Sequence, residues 1–562
     1  MNMAKYYKIL LAILILITGC TKDFLDINKD PNYPTSAPLN QLLTHIEADL
    51  SWSLCLNGQS AGFGNFAAVY MHQITMREDP DQYGVSGNSY YTNNPWGSIY
   101  TGPLQDLELL IKTGDEGGDL VYSGIGRILK AYAYSVLVDI YSDVPFSEAN
   151  KQTEGNNYPK YDAGSTIYPE LFKLLDDAID NLGDATATNL FVPGDDDLIY
   201  GGSATKWIKL ANTIKLKLYT QIRLVDNTVG SKINALITEG NLISKASESF
   251  QLPYGTSKSP DNRNPGMADY ESGQKSYYIS PWFYRLMMGQ NPAIFKDIID
   301  PRIPYYFYKQ LKPDQATREG NPTEYREGGF VSIWFGSVGP NRDHSTDGSM
   351  TVLGMYPVGG RYDQGDATAV TGNSCTGAAP VRFLTYADLL YLKAELINVG
   401  LVTGDARAIL ESAIKASLSQ VDAVVTATKT TQTVPKLATA ASATTYLNAV
   451  LAAYDAATTA GKLEIIMTQK WIQSFGSSID QWTDYRRTGY PIVFDPRNTT
   501  QAPGGFVSSP EGPTVGAPPL PIPVKRTNEY PLSLPWGLDD LSLNPNAPAQ
   551  KNAATFKVFW DN

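Results

Sequence analysis

The stretch DLVYSGIGRILKAYAYSVLVDIYSDVPF, residues 119–146, decides the fold class. Val121, Ile125, Leu129, Tyr132, Val136 and Ile140 recur at steps of three and four, the spacing that places side chains on one stripe of an α-helix. Pro145 stops the pattern, because proline has no amide hydrogen to continue the ladder. A helix of this kind needs an apolar neighbour.

Several neighbours are at hand. STIYPELFKLLDDAIDNLGD, residues 165–184, sets Leu171, Leu175, Ile179 and Leu182 on one stripe and ends at Gly183, which suits a C-terminal cap. Ser203 is placed to cap a helix on which Trp207, Leu210, Ile214, Leu218 and Ile222 face one way, and a shorter pattern around Ile233, Leu236 and Ile237 follows. Farther on, LTYADLLYLKAELINVG, residues 384–400, offers Thr385 as N-cap with Asp388 three residues later and Gly400 at its end. GDARAILESAIKASLSQV, residues 404–421, is its immediate partner. Helix, short turn and helix in succession predict a mainly α protein, a superhelix of hairpins of the tetratricopeptide kind that bury their apolar faces by stacking on one another. No strict 34-residue self-similarity is present, so any repeats are degenerate.

Between residues 250 and 380 the periodicity gives way to Tyr, Gly, Pro and Asn, as in SYYISPWFYRLMM (276–288), DPRIPYYFY (300–308) and GGFVSIWFGSVGPNRD (328–343). This predicts a loop-rich insertion, and long loops on a rigid scaffold are where binding usually resides. The expected layout is one domain over 41–562, with a helical scaffold mainly in 41–245 and 383–490 and an irregular Pro/Gly-rich region over 491–562. Residues 424–445, VVTATKTTQTVPKLATAASATT, are Ala/Thr-rich and are expected to form an exposed excursion.

Composition narrows the chemistry. The 562 residues carry a formal charge of −12, which disfavours binding to nucleic acid, since phosphate contacts need clustered Lys and Arg. With three histidines and three cysteines, and no CxxC or HxxxH spacing, there is little material for a metal or redox centre, so neither metal nor cofactor is expected. If Cys20 is used elsewhere, Cys55 and Cys375 remain, either paired or as free core thiols. Tyrosine is the anomaly, at 35 residues against 18 Phe and 9 Trp. Its flat apolar face and hydrogen-bonding tip suit ligands that are part apolar and part hydroxylated.

At the N-terminal end, Lys5 and Lys8 precede the apolar run Ile9 to Ile17, the layout of an export signal. Nine residues rise only about 14 Å as a helix, short of the roughly 20 residues needed to span a bilayer. The following Ile17-Thr18-Gly19-Cys20 resembles the lipobox of bacterial lipoproteins. That resemblance implies a signal peptide over 1–19, diacylglycerol on the thiol of Cys20, and a Pro/Asn/Asp-rich tether over 20–40. Asp23 and Asp26 resemble the signal that sends Bacteroidetes lipoproteins to the outer face of the outer membrane.

Taken in order, CTKDFLDINKDPN (20–32), ILKAYAYSVLVDIYSDVPFSEA (128–149), FLTYADLLYLKAEL (383–396), IIMTQKWIQSFGSSIDQWTDYRRTGYP (465–491), VKRTNEYPLS (524–533) and the terminal KVFWDN resemble the SusD/RagB family of Bacteroidetes nutrient-binding lipoproteins, across nearly the whole chain. The resemblance implies about four tetratricopeptide-like helix pairs packed against an irregular ligand-binding region. It implies no catalysis, capture of oligosaccharide or, in some members, oligopeptide, and delivery to a SusC-like TonB-dependent outer-membrane barrel. The family's ligand contacts lie in variable loops, so the motifs transfer no binding residue.

For those contacts two loops stand out: REDPDQYGVSGNSYYTNNPW (77–96) with Tyr83, Tyr90 and Tyr91, and SIWFGSVGPNRDH (332–344) with Trp334, Phe335, Asn341 and Arg342. Flat rings can stack on sugar C–H faces while Asn and Arg meet the hydroxyls. The competing expectation is that such rings pack beneath long loops. Trp96 is assigned to the scaffold, and the cluster of Trp471, Trp482, Arg486 and Arg487 to core packing with a buried ion pair, as is the turn at Arg526 and Tyr530. A glycoside hydrolase would need two carboxylates across a cleft, and among 57 acidic residues a nominated pair proves nothing. A third possibility is a lid that braces its partner barrel.

Overall fold

The computed structural model describes residues 37–561 apart from 58–61, 78–82, 84–88, 273–274, 276 and 478. The signal peptide, Cys20 and almost all of the tether lie outside the described residues. Helices of eight or more residues fall into two runs. The first comprises α1 (Leu39–Leu54), α2 (Phe63–Tyr70), α3 (Ser89–Thr101), α4 (Pro103–Gly117), α5 (Leu120–Tyr141), α6 (Gly164–Gly183), α7 (Ala204–Ile222) and α8 (Val229–Glu239). The second comprises α9 (Tyr386–Asn398), α10 (Ala406–Ala427), α11 (Ala441–Ala456), α12 (Thr459–Gln473) and α13 (Ile479–Thr488). Successive members pack as hairpins, α4 on α5, α5 on α6 and α6 on α7, then α9 on α10 and α10 on α11. The mainly helical, tetratricopeptide-like class expected from periodicity is the one observed.

Helix α5 lies at the centre of the first run, and 18 of its 22 residues are buried, more than one amphipathic stripe would account for. Two glycines allow this. A Cβ at Gly126 would come within 2.9 Å of Ile111 on α4, and one at Gly124 within 3.0 Å of Leu182 on α6, so the three helices approach at backbone distance. On α9, the Thr385 side chain accepts from the Asp388 amide and the Asp388 carboxylate from the Thr385 amide, closing the expected capping box. Ser203 does precede α7, but its side chain makes no capping bond, which corrects that expectation.

Charged side chains from both runs meet in the interior. Glu395 of α9 accepts from Arg223 Nη2 just beyond α7 at 2.8 Å and from Arg487 Nη2 of α13 at 2.9 Å. Arg487 also reaches Asp484 at 2.8 Å, and Asp484 accepts from Lys470 Nζ of α12 at 2.6 Å. The ion pair expected of the Trp/Arg cluster is therefore present, and it joins the two runs. Next to it Arg486 donates to the carbonyls of Leu532 (2.8 Å) and Asp139 (2.5 Å) with its guanidinium 3.9 Å from the Trp482 ring centre. Asp139 accepts from Tyr168 (2.5 Å) and from the Trp560 indole (2.9 Å), so the last residues of the chain are fixed to its central helix.

The rest of the chain is irregular, as expected, but held by six two-stranded antiparallel ladders among the described residues. The ladder that matters most for the binding region pairs Ile74–Met76 with Tyr277–Ile279, Ile74 facing Ile279. Two expectations need correction. Residues 424–445 are not one exposed excursion: α10 continues to Ala427, α11 begins at Ala441, and the bend between them is tied down by Asp422, whose carboxylate accepts from the amides of Leu437 and Ala438. The loop expected over 77–96 becomes helix from Ser89. Cys55 and Cys375 are both free.

Removing one member of a buried ion network leaves a charge in the interior without its partner, at a cost of about 3–5 kcal/mol. Arg487→Ala is expected to lose stability of that order in denaturant titration, and Arg487→Lys to recover only part of it, because an ammonium cannot bridge two carboxylates in a planar fork. A change under about 1 kcal/mol for Arg487→Ala would show the network to be dispensable.

Candidate binding region around an aromatic nest

Helix α2 ends at Tyr70, and His72 turns the chain with a positive φ of 53° into the strand Ile74–Met76. That turn brings the His72 ring to within 4.5 Å of the Phe335 centroid and 6.1 Å of Phe494. Its Nε2 lies 2.5 Å from the Tyr83 hydroxyl. Tyr83 in turn packs at 4.7 Å on Phe335 and 5.1 Å on Tyr530, and the Arg526 guanidinium sits 5.1 Å above its ring. Arg526 is held in place by Asp495 at 2.7 Å, consistent with the structural role expected of that turn. A second line of rings leaves Phe494, with Trp334 at 5.6 Å and Trp282 at 5.8 Å.

The two nominated loops do meet, but not as an open platform. Tyr83, Trp334, Phe335 and Arg342 are all buried. Arg342 spends its Nη2 on the Met76 carbonyl at 2.8 Å, tying the 332–344 loop to the strand ahead of it. Their rings and guanidinium pack inward, each covered by an aromatic ring or a carbonyl group from elsewhere in the chain. Asn341 is half-buried. Tyr90 and Tyr91 fall in α3, and their side chains lie outside the described residues. Trp96 is buried in the scaffold as expected.

Two residues that sequence reading passed over as contacts, Trp282 and Tyr485, complete the region together with Tyr530, which it assigned to a structural turn. Trp282, Tyr485 and Tyr530 are half-buried at its margins, with Tyr485 and Tyr530 5.0 Å apart. The nest is also short of hydrogen bonds. Trp282 Nε1, Trp334 Nε1, His72 Nδ1 and the Tyr70 hydroxyl are buried without a partner among the described residues, although buried polar atoms are nearly always paired. Both indoles pack against Phe494. No group of three or more His, Cys, Asp or Glu side chains suited to a metal ion occurs among the described residues.

A model of the SusD-like family, described as "Starch-binding associating with outer membrane", matches residues 31–507. The chain belongs to the SusD-like family. No protein of curated function matches its sequence significantly. Solved structures match the SusD-like fold over nearly its whole length: a chitin-binding protein at 21% identity and TM-score 0.64, covering 93% of this chain and 100% of that one; a SusD/RagB family protein of Bacteroides thetaiotaomicron at 20% and 0.64, covering 94% and 99%; and a SusD-like protein of the Bacteroidetes at 17% and 0.65, covering 94% and 100%. No helix among the described residues of this SusD-like chain is long and apolar enough to cross a membrane.

Burial, and next to it the Arg526 charge, depress the pKa of His72 to about 3, so the ring is neutral in the folded protein. An unfolded histidine titrates near 6.5. Stability from a neutral His72 is thus fully present above about pH 6.5 and is lost as pH falls toward about 3. Between pH 7 and 5 the wild type is expected to lose roughly 2 kcal/mol relative to His72→Gln, followed by denaturant unfolding at each pH. Parallel pH profiles would show that His72 is not held neutral.

Proposed function

We propose that this protein is a non-catalytic, cell-surface lipoprotein that captures oligosaccharide and passes it to a SusC-like TonB-dependent outer-membrane barrel. The observation that carries this reading is the starch-binding, outer-membrane family model matching residues 31–507, more than four-fifths of the chain. Cys20, at the lipobox-like Ile17-Thr18-Gly19-Cys20, is the proposed anchor. Several fatty chains on one residue hold a protein durably, at about 0.8 kcal/mol per buried methylene. The names of the structural neighbours, one of them a chitin-binding protein, favour saccharide over the oligopeptide that other family members take.

The proposed contact surface is the margin of the nest. A pyranose has apolar C–H faces and a rim of hydroxyl oxygens, and Trp282 offers a half-buried ring for the former. At the other end of the chain of rings, Tyr485 and Tyr530 supply a second half-buried face with polar tips, and Asn341 is half-buried in the 332–344 loop. Of the residues nominated from sequence, Asn341 is the one proposed to touch ligand in this arrangement, while Tyr83, Trp334, Phe335 and Arg342 shape the floor beneath it; Tyr90 and Tyr91 remain proposed contacts from the neighbouring helix. Stacking faces and hydrogen-bonding side chains support a reading of binding without bond cleavage.

Calorimetry with maltoheptaose and chitohexaose tests the reading. One of the two is expected to bind and to be recovered intact by chromatography. Trp282→Ala is expected to weaken binding roughly two- to tenfold, the worth of one aromatic face, at an unchanged melting temperature. Released shorter sugars would identify an enzyme, and a protein that copurifies with its barrel yet binds neither sugar would favour a bracing lid.

A further inference from the structure

A cavity of about 460 Å³ opens where residues 536–556 cross the end of α5. That is within the range of about 300–1,000 Å³ typical of small-ligand pockets. The rings of Tyr161, Trp536 and Phe556 form its walls, and Asp143, Lys160 and Lys551 supply its charges. It shares no residue with the nest around His72. The walls are held by the protein itself. The Trp536 indole donates to the Asp143 carbonyl at 2.7 Å, and the Gln550 side chain bonds both the Trp536 amide (3.1 Å) and the Trp536 carbonyl (2.9 Å). Tyr161 lies nearly parallel to Trp96, 5.9 Å away at 14°, and edge-on to Trp536 at 5.5 Å. Tyr161 and Phe556 are only half-buried, so part of each ring remains available in the cavity.

Lys551 is the unusual group here. Its nitrogen lies 4.5 Å from the Trp536 ring centre and 4.8 Å from that of Phe556, and it donates to the carbonyl of Tyr141, the last residue of α5. Closing that helix end uses one of three N–H donors. Among the described residues the other two have no acceptor, and no carboxylate forms an ion pair with the nitrogen. Asp143 is the nearest charge of opposite sign, and its Oδ1 is already spent on the Ser142 hydroxyl at 3.0 Å and the Gly164 amide at 3.1 Å. Burial holds the Lys551 amine well below the usual lysine range against the pull of Asp143. At the rim Lys160 is exposed, with Glu148 at 3.6 Å and Asp162 at 3.9 Å, contacts too long and too wet to hold it. Ring walls around a cation short of an anion select a particular ligand chemistry. A neutral sugar would leave the ammonium unanswered, and an acyclic carboxylate would leave the rings bare. A sugar acid uses both, with its C–H face on a ring and its carboxylate on the ammonium.

We propose that this pocket binds a hexuronic acid unit, carboxylate on Lys551 and pyranose face against Tyr161 or Phe556, as a second site separate from the margin proposed for neutral glycan. Either site can fail without the other. Calorimetry on the full chain with methyl glucuronoside, methyl glucoside and acetate tests it. The glucuronoside is expected to bind, with the other two at least about tenfold weaker, and Lys551→Met is expected to weaken it roughly ten- to hundredfold, the worth of a charge-assisted hydrogen bond. A crystal of the unsubstituted chain soaked with the glucuronoside is expected to show the sugar between Tyr161, Phe556 and Lys551, and decides the matter if Lys551→Met does not fold. No binding by the unsubstituted chain, equal binding of glucoside or acetate, unchanged affinity in a folded Lys551→Met, or sugar seated elsewhere would each overturn the assignment.

Discussion

Glu395 and Arg487 form the contact on which the two helical runs depend. An ionised carboxylate in an apolar interior is tolerable only when its oxygens are occupied, and here Arg223 and Arg487 occupy them from opposite directions. Because those arginines belong to segments more than 260 residues apart in sequence, the carboxylate fixes the relative placement of the first and second runs as well as neutralising itself. Lys470 and Asp484 extend the same arrangement to α12 and α13. An apolar trio of similar volume would hold the same helices together but would leave their register less specified, since dispersion contacts have no direction.

The irregular half of the molecule is built on that frame. Strand Ile74–Met76 leaves α2 and pairs with Tyr277–Ile279, and α13 packs on α2. The loops bearing Phe335 and Phe494 then close around His72, whose neutral ring needs no counter-ion. The result is a floor of edge-to-face aromatic contacts with indole donors left over at its side. Rings locked against one another in this way have little side-chain freedom left.

What the sequence made legible follows from range. Helices α5, α6, α7, α9 and α10 were readable because their apolar period is local, and the Thr385–Asp388 box because it spans three residues. The Ala/Thr composition of 424–445 hid the end of one helix and the start of another, since neither residue marks a face by hydrophobicity. The binding region was half legible. Both nominated loops belong to it, but an aromatic residue in a loop reads the same whether it faces water or another ring. Tyr83 and Phe335 bury one another, His72 packs on both and Tyr530 covers Tyr83, and no spacing rule connects those four positions. Trp282 sat in a quoted motif, yet only the meeting of Phe494 with Trp334 shows why its indole matters.

The bond from the Trp560 indole to Asp139 joins positions 421 residues apart, and Trp560 is completely buried. A single side-chain bond thus ties the segment around Trp560 to the middle of the first helical run, and it shares its acceptor with the Tyr168 hydroxyl of α6. Three stretches of chain converge on one buried carboxylate, so a change at any of them is felt by the other two.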